Sequence, residues 1–263
     1  MMPLAGLGVL VTRPAHQADS LADQLRALGA RVYRLPVLEV IPTQDESAQL
    51  AAHGFMPANG WIVFVSANAA RFGAYLLQRP GAPRIAAVGP ATAAALSQMG
   101  HSLALVPNSG FDSESLLACP ELQSLEDQQI LIVRGGSGRD ILGETLKARG
   151  AHVQYIDVYS RVRATPLPSA INAIESAWAE GKIDVVTVTS GDIARALYEI
   201  LTPRGRALYT HTTLLTGSAR IAEAAREIGL KGPFVIAAAP HDEGLVAALT
   251  QAARDGFQPN ASA

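Results

Sequence analysis

The sequence predicts an α/β fold made of two three-layer, parallel-sheet domains of related topology. Three observations carry that expectation. Short apolar runs such as Trp61–Val65 and Ile130–Val133 alternate with segments of helical periodicity, the pattern of strand–helix units in a parallel sheet. Those runs lack polar alternation, as strands covered on both faces require. The third observation is repetition. Written without a gap, Val9–Val32 and Ile130–Val153 align Arg13 with Arg134, Asp19 with Asp140, Leu21 with Leu142, Leu25 with Leu146 and Gly29 with Gly150, each pair 121 apart.

Taken in order, Val9–Val11 is the first expected strand. Ala18, Leu21, Ala22, Leu25 and Leu28 follow at helical spacing, Gly29 closes that helix, and Arg31–Val37 is extended again. Trp61–Leu77 reads as strand, polar turn and helix, and its counterpart is Val185–Leu201, with Ser66 and Ser190 124 apart. Ile85–Gly100 matches Leu214–Gly229, with Gly89 and Gly217 128 apart. Ser113–Ala118 matches Asp242–Leu249, with Glu114 and Glu243 129 apart. Four matches in one order with slowly drifting offsets point to a duplication of roughly 120 residues.

At 263 residues, with 49% apolar and 17% charged side chains, the chain is long and apolar enough for two ordinary cores. A formal net charge of −2 gives no reason to expect a nucleic-acid partner. The single Cys119 excludes an intrachain disulfide and fits a reducing compartment. The first residues lack the pattern of a signal peptide, and apolar runs such as Phe234–Ala239 are too short for a bilayer. A cytoplasmic protein is the expectation.

Parallel sheets bind ligands beyond the carboxyl ends of their strands. There this sequence places Thr12-Arg13, Ser66-Ala67-Asn68, Gly89 to Thr92, Arg134-Gly135-Gly136 running on to Arg139, Ser190-Gly191 and Gly217-Ser218. Small residues let backbone N–H groups approach a ligand, and helix N-termini favour negative charge. An anionic ligand is the physical reading, although a hydroxyl at such a junction also serves as a plain N-cap. The Gly-rich stretch Arg134–Asp140 matches neither the phosphate loop, the dinucleotide fingerprint nor the nucleophile elbow. The six histidines show no metal-ligand spacing, so no metal is expected. No Ser-His-Asp set or carboxylate pair emerges from spacing.

Taken together, "VLVTRP", "LGARVYRLPVLEVIP", "FVSANAA", "AAVGPATAAAL", "GFDSESLL", "ILIVRGGSGRDILGETLKARGAHV" and "VYSRV" resemble the uroporphyrinogen-III synthase family over about residues 7 to 250. The resemblance implies a discontinuous domain of residues 1–35 and 167–263, a second domain of 43–157, and a two-stranded linker of 36–42 and 158–166. The repeat alone would set the boundary near Asp127. It further implies an active site in the cleft between domains and closure of hydroxymethylbilane, with inversion of ring D and loss of water. No cofactor, no nucleic acid, no membrane and a monomeric state are expected with it. Such a site must chiefly hold a flexible chain in one geometry. The family pattern places a tyrosine in the second linker, here Tyr159, as an acid for the departing hydroxyl or as a packing aromatic. Substrate contacts are expected from Thr12, Arg13, Ser66, Ala67, Asn68, Gly89, Thr92, Arg134, Gly135, Gly136, Arg139, Ser190, Gly191, Gly217 and Ser218. Two other readings stay open from the residues: a non-catalytic two-lobed binding protein for an anionic metabolite, and a nucleotide- or sugar-transferring enzyme.

Overall fold

Apolar strands that cannot bury themselves alone dictate the architecture of the computed structural model, which describes residues 2–43, 60–78, 83–110, 112–136 and 140–256. The chain forms two units, Met1–Glu39 with Val162–Ala263 (unit 1) and Val40–Arg161 (unit 2).

Unit 1 begins with β1 (Gly8–Val11), α1 (Ala15–Ala27) and β2 (Arg31–Arg34). The next strand, β3 (Leu38–Pro42), carries the chain into unit 2. There follow β4 (Trp61–Phe64), α2 (Ala67–Gly73), β5 (Arg84–Ala87), α3 (Pro90–Gln98) and α4 (Ser113–Leu117). Unit 2 continues with β6 (Gln129–Gly135), α5 (Ile141–Ala148) and the long β7 (His152–Arg163), which leads back to unit 1. Unit 1 is completed by α6 (Pro168–Ala179), β8 (Val185–Val188), α7 (Gly191–Ile200) and α8 (Pro203–His211). Last come β9 (Thr213–Thr216), α9 (Ala219–Glu227), β10 (Phe234–Ile236) and α10 (Asp242–Arg254).

Each unit holds one five-stranded sheet, ordered β10-β9-β8-β1-β2 in unit 1 and β3-β7-β6-β4-β5 in the other. All pairs in the first are parallel, as are β5–β4, β4–β6 and β6–β7 in the second. Beyond β5, Leu105 forms a parallel bridge to Ala86. Read from that bridge, Leu105-β5-β4-β6-β7 reproduces β10-β9-β8-β1-β2 strand for strand. The duplication is therefore structural, with β1-α1-β2 equivalent to β6-α5-β7. Unit 1 takes that piece from the start of its own segments, unit 2 from the end of its segment.

Period-two alternation assigns the faces. Val9, Val11, Val185 and Leu215 enter one cluster with Leu21 and Leu25 of α1, while Leu10, Val186 and Leu214 enter another with Trp178 and Leu197. In unit 2, Trp61, Val63, Ile130 and Ile132 face one cluster, and Ile62, Phe64, Leu131 and Val133 the opposite one. Each fully buried Leu or Val contributes about 1.5–3 kcal/mol. This two-sided burial is the three-layer α/β sandwich the sequence predicts.

The helices α1 and α5 end alike. Gly29 (φ +94) and Gly150 (φ +90) sit in the left-handed region that disfavours a Cβ. Each donates three residues back, Gly29 to Arg26 O at 2.9 Å and Gly150 to Lys147 O at 3.0 Å, and the next residue donates five back, to Leu25 O and Leu146 O. That is a Schellman cap in both copies. The repeated Gly-Ala of the sequence is thus the signal that turns each helix into its strand.

Where the chain crosses between units, β3 and β7 are neighbours. Thr43 N–H donates to Val158 O at 3.1 Å and Ala164 N–H to Val37 O at 3.0 Å. Residue numbers rise on one strand as they fall on the other, so the pair is antiparallel.

Candidate functional site

Parallel pairing sets all carboxyl ends of a sheet on one edge, where helices begin with unpaired N–H groups. In unit 2 that edge carries Ser66 after β4, Gly89 after β5, Arg134–Gly136 at the end of β6, and Tyr159 in β7. In unit 1 it carries Thr12 and Arg13 after β1, Ser190 after β8, and Gly217 and Ser218 after β9. Arg139 lies outside the described residues.

Tyr159 is placed by an irregularity. Arg134 pairs with Asp157, but Gly135 pairs with Tyr159, so β7 carries one extra residue there. A bulge re-aims the side chain that follows it, and Ile156, Val158 and Tyr159 accordingly all join one cluster with Phe64 and Val133. The Tyr159 ring is 2% exposed and tilts against Phe72 with centroids 5.9 Å apart. It also covers Gly135, where a Cβ would come within 2.2 Å of the ring. At the far end of the ring, the hydroxyl stands 3.2 Å from Ser66 Oγ. Ser66 is the N-cap of α2 and accepts from Ala69 N–H at 3.0 Å. The exposed Arg161 guanidinium lies 5.9 Å from the Tyr159 ring centroid, and it forms no ion pair among the described residues.

Arg134 is differently occupied. Its Nε donates to Asp157 at 3.0 Å and its Nη1 to Asp140 at 2.9 Å, and the guanidinium lies 4.2 Å over the Tyr155 ring. Burial by itself would lower the Arg134 pKa, but the hydrogen bonds and charges of Asp140 and Asp157 outweigh it and raise the pKa. Burial pushes the Tyr155 phenol up, with Asp140 adding to the shift and Arg134 opposing it. In unit 1, Arg13 pairs with Asp242 at the start of α10, both side chains largely buried. Arg13 and Arg134 are therefore each held by carboxylates of the protein itself.

The other predicted residues divide by role. Thr12 is fully buried, and its hydroxyl donates to Thr187 O at 2.5 Å, tying β1 to β8. Asn68 and Thr92 are buried in the first turns of α2 and α3, and Ala67 opens α2 half-buried. Gly89 is the N-cap of α3. Ser190 caps α7 by accepting from Ile193 N–H at 3.2 Å, and Gly191 opens that helix. Gly217 lies against Pro240, where a Cβ would come within 3.1 Å. Ser218 is the N-cap of α9, but its side chain makes no capping bond. The structure brings Ser66 and Gly135 each against Tyr159.

Sequence reasoning passed over Arg161, Tyr155, Asp157 and Asp242. Arg161 had a signal, since it stands two residues beyond Tyr159 on one strand and so on the same side. Asp242 had none, being 229 positions from Arg13.

Chemically, unit 2 offers a buried phenol whose hydroxyl meets another hydroxyl at a helix start, near the Arg161 guanidinium, which has no ion-pair partner among the described residues. Both sheet edges offer helix N-termini suited to anions. No group of three or more His, Cys, Asp or Glu among the described residues is arranged to hold a metal ion.

Comparison with known proteins bears on this arrangement. Residues 19–247 match the family model described as Uroporphyrinogen-III synthase HemD. The uroporphyrinogen-III synthase of Escherichia coli (strain K12) is 34% identical over 232 residues, spanning 85% of this chain and 92% of the relative. That of Salmonella typhimurium (strain LT2) is 34% identical over 230 residues, with the same coverage of 85% and 92%. Among solved structures, a mutant uroporphyrinogen III synthase from the extremely thermophilic bacterium Thermus thermophilus superposes with a TM-score of 0.57 at 19% identity, covering 95% of this chain and 99% of that one. Uroporphyrinogen-III synthetase from Helicobacter pylori 26695 gives 0.58 at 15% identity, covering 93% and 99%. These likenesses show a shared fold.

Proposed function

The chain belongs to the uroporphyrinogen-III synthase family and is a cyclising lyase of porphyrin biosynthesis, and from that premise we propose how its residues act. The substrate is the small molecule hydroxymethylbilane, a linear tetrapyrrole bearing eight carboxylates. Its closure to uroporphyrinogen III loses water and inverts ring D. The proposal rests on one observation, the Tyr159 hydroxyl at the carboxyl edge of unit 2 with Ser66 as its neighbour at 3.2 Å.

In this reading Tyr159 is the acid. The carbon–oxygen bond of the substrate hydroxymethyl group breaks with its electron pair on oxygen, and that oxygen takes the phenolic proton and leaves as water. A cationic azafulvene and a phenolate remain. The substituted carbon of ring D then attacks to give a spirocycle. Its old bond to the bridging methylene breaks and re-forms at the unsubstituted α-carbon of ring D, and the proton lost from that carbon as the pyrroles regain aromaticity returns to the phenolate. Spontaneous closure gives the uninverted isomer, so orientation is the principal task. Carboxylate contacts come from Arg161, from Arg13, Arg134 and Arg139, and from the helix starts at Ser66, Ala67, Asn68, Gly89, Thr92, Ser190, Gly191, Gly217 and Ser218. Gly135 and Gly136 keep the β6 turn free of side chains. Thr12 supports the unit 1 edge from below. Residues 36–42 and 158–166 serve as linkers in this scheme, and the enzyme works as a cytoplasmic monomer without cofactor or nucleic acid. Among the described residues no helix is long and apolar enough to cross a membrane.

Incubation with freshly made hydroxymethylbilane, followed by oxidation and isomer separation, should yield type III porphyrin; type I alone would overturn the reading. Tyr159→Phe should lower kcat by about a hundredfold or more with little change in KM, and wild-type turnover in that variant would remove Tyr159 as the acid.

A further inference from the structure

The hydroxyl of Ser66 has two claims on it. It accepts from Ala69 N–H at 3.0 Å and lies 3.2 Å from the Tyr159 hydroxyl. A hydroxyl that already accepts one bond has one proton and one lone pair left. The Tyr159 contact can therefore run either way. If Tyr159 donated, its proton would be spent inside the protein. If Ser66 donates, the phenolic proton is free for another acceptor. The ring cannot swing to choose a third arrangement, because it is 2% exposed between Phe72 and Gly135.

The duplicated half of the molecule supplies an internal comparison. Ser190 caps its helix in the same way, accepting from Ile193 N–H at 3.2 Å. The residue 121 before Tyr159 in the repeat is Leu38, which is 8% exposed and has no hydroxyl. Capping alone does not call for a phenol. The Ser66–Tyr159 bond belongs to unit 2.

We propose that Ser66 is a positioning residue for the acid step, its hydroxyl donating to the Tyr159 oxygen so that the phenolic proton points at the departing hydroxyl of the substrate. The inference rests on Tyr159 being the acid. As the carbon–oxygen bond breaks and its electron pair leaves on oxygen, that oxygen takes the Tyr159 proton to become water, and the Ser66 O–H strengthens its bond to the phenolate left behind. The donor is in place before charge develops, so no reorganisation is needed at that moment. The Ala69 N–H behind it, at the start of α2, polarises the Ser66 O–H in the same direction.

The test is a double-mutant cycle on the full chain with hydroxymethylbilane, measuring kcat and KM of wild type, Ser66→Ala, Tyr159→Phe and the double variant. Ser66→Ala should lower kcat about tenfold, the loss of one hydrogen bond, with KM changed less than about twofold. Ser66→Thr, which keeps a hydroxyl, should restore most of that loss. In the Tyr159→Phe background the same Ala substitution should change kcat by less than about twofold. An equal loss in both backgrounds overturns the proposal and leaves the acid role of Tyr159 intact. Wild-type kcat in Tyr159→Phe overturns the acid role and the proposal together. Ser66→Asp guards against a folding effect, because it caps α2 equally well but only accepts. It should be at least as slow as Ser66→Ala, and wild-type turnover in it overturns the proposal.

Discussion

The two copies of the β–α–β piece, β1-α1-β2 and β6-α5-β7, share sheet position, helix cap and a basic residue at the strand end, yet differ in what surrounds that residue. Arg13 reaches across to Asp242 of α10, and both side chains are largely buried, at 11% and 17% exposed. Arg134 finds its partners nearby, in Asp140, Asp157 and the face of Tyr155, and its acids are 57% and 41% exposed. The cause is in the sequence. At the position of Asp157 the first copy has Pro36, and at that of Tyr155 it has Arg34, which pairs with Asp19 instead. At the positions of Gly135 and Tyr159 the first copy has Pro14 and Leu38. One copy carries an apolar residue at this place in the scaffold, and the other carries a phenol. Repetition preserved the packing and freed the strand ends to diverge.

That contrast can be broken most severely at Gly135. A Cβ there meets the Tyr159 ring at 2.2 Å, and the ring is enclosed, so Gly135→Ala should displace the hydroxyl from Ser66. Turnover to type III porphyrin should fall by about two orders of magnitude, close to Tyr159→Phe, and thermal melting should show a loss of about 1–3 kcal/mol. Unchanged turnover would mean that the position of the phenol is not critical.

A smaller effect separates the two ion pairs. Asp242→Asn strands the buried Arg13 charge and should cost about 2–3 kcal/mol in denaturant unfolding. Asp157→Asn leaves Arg134 with Asp140 in a more solvated setting and should cost less than about 1 kcal/mol. The reverse order would show that the two arginines play other roles than their burial indicates.

The smallest effect concerns two buried phenols. Tyr159 has Ser66 beside its hydroxyl, whereas the fully buried Tyr209 hydroxyl in unit 1 has no hydrogen-bond partner among the described residues. Burial pushes the Tyr209 pKa far up. With the folded pKa above the unfolded value of about 10, its neutral form favours folding below that pH. This contribution is lost as pH rises above about 10, where the unfolded phenol ionises and the folded one does not. Tyr209→Phe should therefore leave stability at neutral pH unchanged or raise it by up to about 1 kcal/mol, and should flatten the loss above pH 10. A marked loss at neutral pH would reveal a partner for that hydroxyl.

Much of this was legible in the sequence because the signals are local or repeated. The apolar strands, the Gly29 and Gly150 caps and the serines opening α2 and α7 each follow from a few adjacent residues, and the constant offset of 121 in the sequence aligns β1-α1-β2 with β6-α5-β7. The pairing of Arg13 with Asp242 was not legible, since nothing near either residue specifies a partner more than two hundred positions away. The seat of Tyr159 was only half legible. Its place in the chain could be read, but its burial depends on a bulge opposite Gly135, and no single-strand pattern announces a change of register in its neighbour. The expectation that Arg13 and Arg134 contact a ligand came from their position at strand ends, and spacing could not reveal the acids of the same chain with which each also pairs.

The antiparallel contact of β3 with β7 sets an order on biosynthesis. Leaving the ribosome, β1 has β2 soon after it, but its other neighbour, β8, begins only at Val185. Unit 2, continuous from Val40 to Arg161, is synthesised in between. Once β7 has paired beside β3, the long excursion between the two parts of unit 1 is closed, and the remaining search for β8 begins from neighbouring chain ends. The entropy of closing so long a loop is then met by the folding of unit 2. The middle of the chain is thereby the assembly jig for its two ends.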